Sequence, residues 1–228
     1  MYVVGLDLSC SIRKGSGICL LHDCNVKTFI LFSDEEILEK ITTFDARLVA
    51  IDAPLSLPKG RKNLDDRSGP HLRECDRELL RRRIRFFPLT LGPMRKLTER
   101  GIKLKEVLKE KGYEVIEVYP GGAQDIWGFP RKNKNLEGLR KNLGNIGLNG
   151  NFEQMCHDEL DAVTAALVGF LYLLGEYDEY GDRSEGTIIM PKKYSLELLK
   201  KHFKSQFPDK GSRFVDPLSG EPRTQEGV

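Results

Sequence analysis

The chain has 228 residues, of which 39% are hydrophobic and 31% charged, and its net charge at pH 7 is +2. This length can bury a substantial core, so we expect one domain with a small addition. No apolar run approaches the ~20 residues of a membrane span, and Asp7 comes too early for a signal sequence. Five cysteines in no metal-ligating spacing fit a reducing compartment. We therefore expect a soluble, cytoplasmic protein with no membrane partner.

Basic residues are concentrated in the middle of the chain. Between Lys59 and Lys111 there are 17 Lys or Arg residues and 8 Asp or Glu residues. A basic block beside a carboxylate-rich remainder suits a polyanionic partner such as nucleic acid. A solvated, charged helix face would give the same count, so both interpretations stay open.

The first third of the sequence has the pattern of a sheet with short strands. Residues 2–8 form a mostly apolar run that ends near Asp7, which is typical of a central strand. Residues 17–21 and 26–32 predict two further strands joined by a tight turn, so the first three strands should form an antiparallel meander. Ser33 with Glu36 is a capping box, which predicts a short helix.

A second acid stands at a strand end. Residues 48–52 read as a buried strand that finishes on Asp52, and Pro54 stops it. Functional sites in α/β sheets form outside the strand ends, so Asp7 and Asp52 are candidate ligands at one sheet edge.

The basic block predicts a helix from about residue 70 to residue 87, ended by Pro88. Its apolar side is expected to face inward and consists of Leu72, Cys75, Leu79, Leu80, Ile84 and Phe87. The outer face carries Arg73, Arg77, Arg81, Arg82, Arg83 and Arg85. Guanidinium groups in this density suit bidentate phosphate contacts, although Asp76 and Glu78 could absorb some of them in surface pairs.

A second helix over residues 94–111 and a strand over residues 113–118 follow. Because side chains alternate along a strand, Glu117 shares a face with Val115 and Tyr119. Glu117 is therefore either near a covered polar site or on an open surface. Residues 131–150 have the composition of a mobile loop.

A long apolar helix opens with acids at His157-Asp158-Glu159-Leu160-Asp161. From Leu160 onward, apolar residues recur at three- and four-residue steps, which indicates one buried face. Asp158 and Asp161 are three residues apart and project from the same side. Carboxylates this close repel each other, so the pair is either a metal site or a solvated first turn favoured by the helix dipole.

The C-terminal part has weaker signals. An acidic stretch over residues 176–185 precedes an expected edge strand over 187–190 and a lysine-rich helix over 195–207. We expect residues 1–191 to form the domain, and residues 192–228 to form a C-terminal helix and a mobile tail.

The order of these elements resembles the ribonuclease H-like fold, and the paired acids are similar to those of RuvC-type resolvases. As a set, five segments resemble domain-of-unknown-function family 429, a group described as predicted nucleases of this fold. These segments are Gly5-Leu6-Asp7-Leu8-Ser9, Ile51-Asp52-Ala53-Pro54-Leu55, Arg73-Glu74-Cys75-Asp76-Arg77, Glu117-Val118-Tyr119-Pro120 and His157-Asp158-Glu159-Leu160-Asp161-Ala162. The resemblance covers residues 2–191. It implies an α/β fold with a five-stranded mixed sheet flanked by helices, and a C-terminal helical extension.

The resemblance also implies a nuclease that uses Mg²⁺ or Mn²⁺. Carboxylates are hard oxygen ligands, and two ions ~3.5–4 Å apart can support phosphodiester hydrolysis. On this hypothesis Asp7 bridges two ions, and Asp52 and Asp161 each complete one. Asp158 or Glu117 supplies a further ligand or orients water. The residues expected to contact nucleic acid are Arg73, Arg77, Arg81, Arg82 and Arg85.

Two other classes of function remain open. A sugar-kinase or actin-like ATPase also begins with a strand followed by an aspartate, but it needs two such lobes and separate phosphate loops. A non-catalytic module that binds nucleic acid or protein could keep the same fold and use the arginine-rich helix alone.

Overall fold

The computed structural model describes residues 2–205, apart from residues 12 and 67. Its strands are β1 (Tyr2–Asp7), β2 (Ser16–His22), β3 (Asn25–Leu31), β4 (Ala46–Asp52), β5 (Glu114–Val118), β6 (Tyr177–Asp182) and β7 (Gly186–Pro191). Its helices are α1 (Asp34–Thr43), α2 (Glu74–Arg81), α3 (Gly92–Glu110), α4 (Pro120–Trp127), α5 (Leu136–Gly144), α6 (His157–Leu173) and α7 (Ser195–Ser205). The expected tail lies outside the described residues.

The strands form one mixed sheet in the order β3-β2-β1-β4-β5-β7-β6. The antiparallel meander of β1, β2 and β3 is confirmed, and β1 pairs in parallel with β4, as β4 does with β5. The mixed α/β sheet expected from the sequence is therefore confirmed, but the prediction of five strands was too low. In the described chain the sheet has seven, because β6 and β7 extend it beyond β5. The sheet edge on that side is β6 and not the predicted strand over 187–190.

Helices cover both faces of the sheet. On one face α6 buries Leu160, Val163, Leu167 and Leu171 against β1, β2 and β4. On the other, α1 and α3 close a second core through residues such as Ile37 and Leu104. Burial on both faces explains why β1 and β4 are continuous apolar runs rather than alternating ones.

Two glycines let α6 approach the sheet closely. A Cβ atom at Gly5 would lie 2.0 Å from the Ala162 carbonyl oxygen, and one at Gly17 would lie 2.3 Å from the Asp158 carbonyl oxygen. Only a residue without a side chain fits at either position. These contacts hold the first turns of α6, and the acids on them, against the ends of β1 and β2.

Two predictions about helices were wrong. The basic helix ends at Arg81 rather than at residue 87, and Arg83 has a left-handed backbone (φ 59°). Leu80 and Phe87, expected to face inward, are instead 53% and 73% exposed. Residues 131–150, expected to be a mobile loop, contain α5, whose Leu139 and Leu143 are fully buried.

The C-terminal helix is present as predicted, and it is part of the packed structure. In α7, Leu199 and Phe203 are fully buried in the core beneath α6, and the Phe203 ring lies 5.2 Å from that of Phe170. A boundary at residue 191 remains a prediction. Within the described range, no helix has the length and apolar character needed to cross a bilayer.

Candidate functional site

Asp7 and Asp52 end two neighbouring parallel strands. The register of β1 and β4 places Asp7 directly opposite Asp52. The apolar runs before them fill the two cores, and the acid that ends each run emerges at the same edge of the sheet. These two acids, 45 positions apart in sequence, therefore come together as the strand pattern predicted.

The N-terminal turns of α6 bring Asp158 and Asp161 to the same place. A lysine on the loop before α5 lies between the acids. The Lys132 ammonium is 2.9 Å from an Asp7 oxygen, 3.1 Å from an Asp158 oxygen and 2.9 Å from an Asp161 oxygen. We call Asp7, Asp52, Asp158, Asp161 and Lys132 the acid centre.

Burial and charge repulsion strongly raise the pKa values of two of these acids. Burial raises the pKa of Asp7 from 3.8 to about 8, with Lys132 opposing and Asp161 and Asp158 adding to the rise. Burial, with repulsion from Asp7 and Asp161, also raises the pKa of Asp52 well above its ordinary value. Lys132 alone would not neutralise four ionised carboxylates, so Asp7 and Asp52 keep their protons to higher pH than free aspartates do.

The pKa values of Lys132 and Asp158 shift in the directions that stabilise their ion pair. Burial alone would lower the pKa of Lys132, but the carboxylates of Asp7 and Asp161 outweigh it and the pKa is raised. Burial would raise the pKa of Asp158, yet Lys132 and His157 keep it below its ordinary value. The His157 ring nitrogen is 2.7 Å from an Asp158 oxygen.

A buried amide holds Asp161 in place. The Gln124 side chain, on α4, donates to an Asp161 oxygen at 2.6 Å and approaches the Thr164 hydroxyl at 3.3 Å. Within the described chain, its own Oε1 atom is buried and has no hydrogen-bond partner. Asp161 is thereby fixed from the α4 side and from the Lys132 side.

Glu117 lines the same cavity as Asp7 and Asp52 but is bound by a buried arginine rather than by Lys132. Both Glu117 oxygens accept hydrogen bonds from the Arg73 guanidinium at 2.7 Å, and one also accepts from the Leu55 backbone N–H at 2.7 Å. Arg73 also binds Asp76 and is 1% exposed. The Arg73 guanidinium, expected to contact phosphate, is thus covered by protein and has its donors directed at carboxylates.

The other predicted arginines divide into paired and free side chains. Arg77 and Arg81 bind Glu74 on α2, and Arg82 binds Glu78 and lies over the Tyr180 ring. Arg85 makes no side-chain ion pair within the described residues and is exposed. Of the predicted set, Arg85 has the guanidinium most available to a ligand.

Sequence reasoning missed Lys132 and Gln124. Lys132 lies in a polar, Asn-rich stretch with no periodicity, and it is 125 positions from Asp7. Gln124 follows Pro120-Gly121-Gly122, which reads as a turn but starts helix α4, with Pro120 in its first turn. The one available signal for α4 was Pro120, because proline suits the first turn of a helix.

The carboxylate oxygens of the acid centre are suitable ligands for a divalent cation. Three carboxylates contact one ammonium and a fourth, that of Asp52, lies opposite Asp7, and carboxylate oxygens are the ligands that Mg²⁺ and Mn²⁺ prefer. Their present arrangement is organised around Lys132, and across the residues that the structure describes, no three His, Cys, Asp or Glu side chains form a metal-binding group. A cation held by Asp7, Asp158 and Asp161 would therefore take the position of the Lys132 ammonium.

Comparisons with known proteins place this architecture in a wider context. A family model described as "Protein of unknown function (DUF429)" matches residues 5–185. No curated protein matches the chain significantly. Among solved structures, the chain is similar to T. thermophilus RuvC in complex with Holliday junction substrate. The two share 16% sequence identity with a TM-score of 0.43, over 77% of this chain and 97% of that one.

Proposed function

We propose that this chain, which belongs to the DUF429 family of unknown function, is a divalent-metal-dependent nuclease. The reaction is hydrolysis of phosphodiester bonds in a nucleic acid, with Mg²⁺ or Mn²⁺ held by the acid centre. The observation that supports it best is the convergence of Asp7, Asp158 and Asp161 on one lysine, with Asp52 directly opposite Asp7. Ionised together, these acids would carry more negative charge than Lys132 neutralises, and a divalent cation would supply the balance.

The residues of the acid centre would have distinct roles. Asp7, Asp52, Asp161 and Asp158 would hold the metal, and bound ions would supply an activated water and stabilise the leaving oxygen of a phosphodiester. Gln124 keeps Asp161 in the orientation that its carboxylate needs. Glu117 is not included, because Arg73 already binds both of its oxygens.

A cleavage panel tests the proposal. Single-stranded, duplex, hybrid and branched substrates are incubated with Mg²⁺ or Mn²⁺ and wild-type, Asp7→Asn or Asp161→Asn protein. Each substitution removes a ligand charge with almost no change in volume, so cleavage should be lost while the fold is kept. Asp45→Asn is the matched control, because Asp45 is exposed and has a left-handed backbone that asparagine adopts readily. Cleavage that persists in both acid-centre variants would refute the assignment.

A second candidate is a non-catalytic module that binds nucleic acid. The observation that favours it is Lys132, whose ammonium neutralises part of the acid centre without any metal. Calorimetric titration with Mn²⁺ separates the candidates. Binding that disappears in Asp7→Asn supports the nuclease, and the absence of binding to wild type supports the module.

A further inference from the structure

An apolar cavity of about 310 Å³ opens beside the acid centre. Its charged lining residues are Asp7, Asp52, Arg73, Asp76, Glu117 and Lys132. The rest of its wall is mostly hydrophobic and includes Pro54, Phe86, Phe87, Leu89, Met94 and Leu97. A cavity of this size, mostly apolar with a few polar groups, is typical of a small-molecule site.

A second, larger cavity of about 780 Å³ shares Phe86, Phe87 and Tyr119 with the first. It is lined by cations and aromatic rings, and Arg83, Arg85 and Lys134 make no side-chain ion pair within the described part of the chain. Arg131, by contrast, is bound to Asp125. The two cavities therefore form one groove, in which free cations lead to an apolar pocket next to the acids.

Phe87 stands where the two cavities meet. Its side chain is 73% exposed, because α2 ends at Arg81 and the chain turns outward at Arg83. Phe86 lies beside it and is half-buried. An exposed aromatic ring beside unpaired cations is suited to stack on a second planar ring whose neighbouring group is an anion, as in a nucleobase with its phosphate.

We propose that this groove binds single-stranded nucleic acid, with an unpaired base in the apolar pocket and the phosphates along Arg83, Arg85 and Lys134. The inference rests on the proposed function and names the substrate class for it. A base in a continuous duplex is paired and is stacked on both faces, so it cannot enter this pocket without being extruded. The substrate is therefore single-stranded at the position that faces the acid centre.

Binding without cleavage tests the proposal. A fluorescein-labelled oligonucleotide of about 20 nucleotides exceeds the ~4–16 nucleotides of a typical single-strand site. It is titrated in EDTA, as DNA and as RNA, each as a single strand and as a duplex of the same sequence. Wild type should bind a single strand more tightly than the duplex, with affinity that falls steeply with salt. Equal or tighter binding of both duplexes would overturn the proposal.

Two variants locate the contact. Phe87→Ala should weaken single-strand binding at least about fivefold, the lower end of the ~1–3 kcal/mol measured for loss of one base–aromatic stack. Phe87→Tyr, which keeps the ring, should restore it. Phe32→Ala is the matched control, because Phe32 is 50% exposed and lines neither cavity. If Phe87→Ala binds as wild type does, or no worse than Phe32→Ala, the pocket takes no base.

The assay keeps this inference separate from the proposed function. Phe87-dependent binding without cleavage would leave the groove supported and the nuclease refuted. Cleavage of an intact duplex that does not depend on Phe87 would leave the nuclease supported and refute the groove. Arg85→Ala adds an electrostatic readout, because loss of one phosphate contact reduces the salt slope by about one.

Discussion

Replacing Arg73 with methionine should cost more stability than replacing any other arginine of the basic block. The Arg73 guanidinium makes hydrogen bonds of 2.7 Å to both oxygens of Glu117, of 3.0 and 3.2 Å to Asp76, and of 3.1 Å to Ser56. Glu117 and Asp76 are 6% and 3% exposed, so the variant would leave two buried carboxylates without their cation. Breaking a buried pair from one side costs about 3–5 kcal/mol.

The expected loss is large enough to measure by thermal unfolding. A change of 1 kcal/mol shifts the Tm of a 150–250-residue domain by about 2–4 °C, so Arg73→Met should lower it by roughly 6–20 °C. Arg81→Met is the matched control, since Arg81 pairs with Glu74 but is 60% exposed. An exposed pair contributes about 0–1 kcal/mol, which corresponds to less than about 4 °C.

The source of the loss can be checked in the same experiment. If the buried, unpaired carboxylates cause the loss, Glu117→Gln added to Arg73→Met should recover part of the Tm. Equal Tm losses in Arg73→Met and Arg81→Met would refute the reasoning. A specific loss of nucleic-acid affinity without a loss of stability would return Arg73 to the phosphate contacts first expected for it.

Three further outcomes are expected. Because burial raises the pKa of Asp7 from 3.8 to about 8, the folded protein keeps a proton that the unfolded chain releases, so its stability should fall as pH rises through that window. Chemical denaturation should show a smaller fall for Asp7→Asn, and an equal fall would contradict the assignment. Gly5→Ala should destabilise by about 1–3 kcal/mol or more through overpacking against α6, whereas Gly92→Ala, with open space around the new methyl group, should not. Lys132→Met should tighten Mn²⁺ binding at least about tenfold, or ~1.4 kcal/mol, as measured by calorimetry. Lys134→Met is the control. Unchanged Mn²⁺ affinity in Lys132→Met would contradict the prediction.

The sequence was most informative where one strong pattern decides the structure. Unbroken apolar runs before Asp7 and Asp52 predicted two buried strands, and burial on both faces is why those runs do not alternate. The helical spacing after Leu160 placed Asp158 and Asp161 on one side of α6. Parallel pairing then brought these acids to a common edge, since adjacent parallel strands end together.

Other features depend on contacts that no local pattern encodes. Arg73 stands in a run of exposed arginines, and only the position of Glu117, 44 residues away, makes it a buried residue. Lys132 belongs to a loop whose path is set by α4 and α5, neither of which was predicted. The strand β6 has the sequence Tyr-Asp-Glu-Tyr-Gly-Asp, whose acids suit the exposed edge of a sheet but do not resemble a strand.

Lys132 also separates the folding of this protein from its loading with metal. In many small metalloproteins the unloaded chain is unfolded, because the ligands repel each other until the ion arrives. Here a cation encoded in the chain already lies among Asp7, Asp158 and Asp161, so the native state can assemble first and accept an ion afterwards. The protein should therefore survive purification in a chelator with its tertiary structure intact. Mg²⁺, Mn²⁺ or an inert substitute could then be added to one preparation, and the contribution of each ion measured on the same folded molecule.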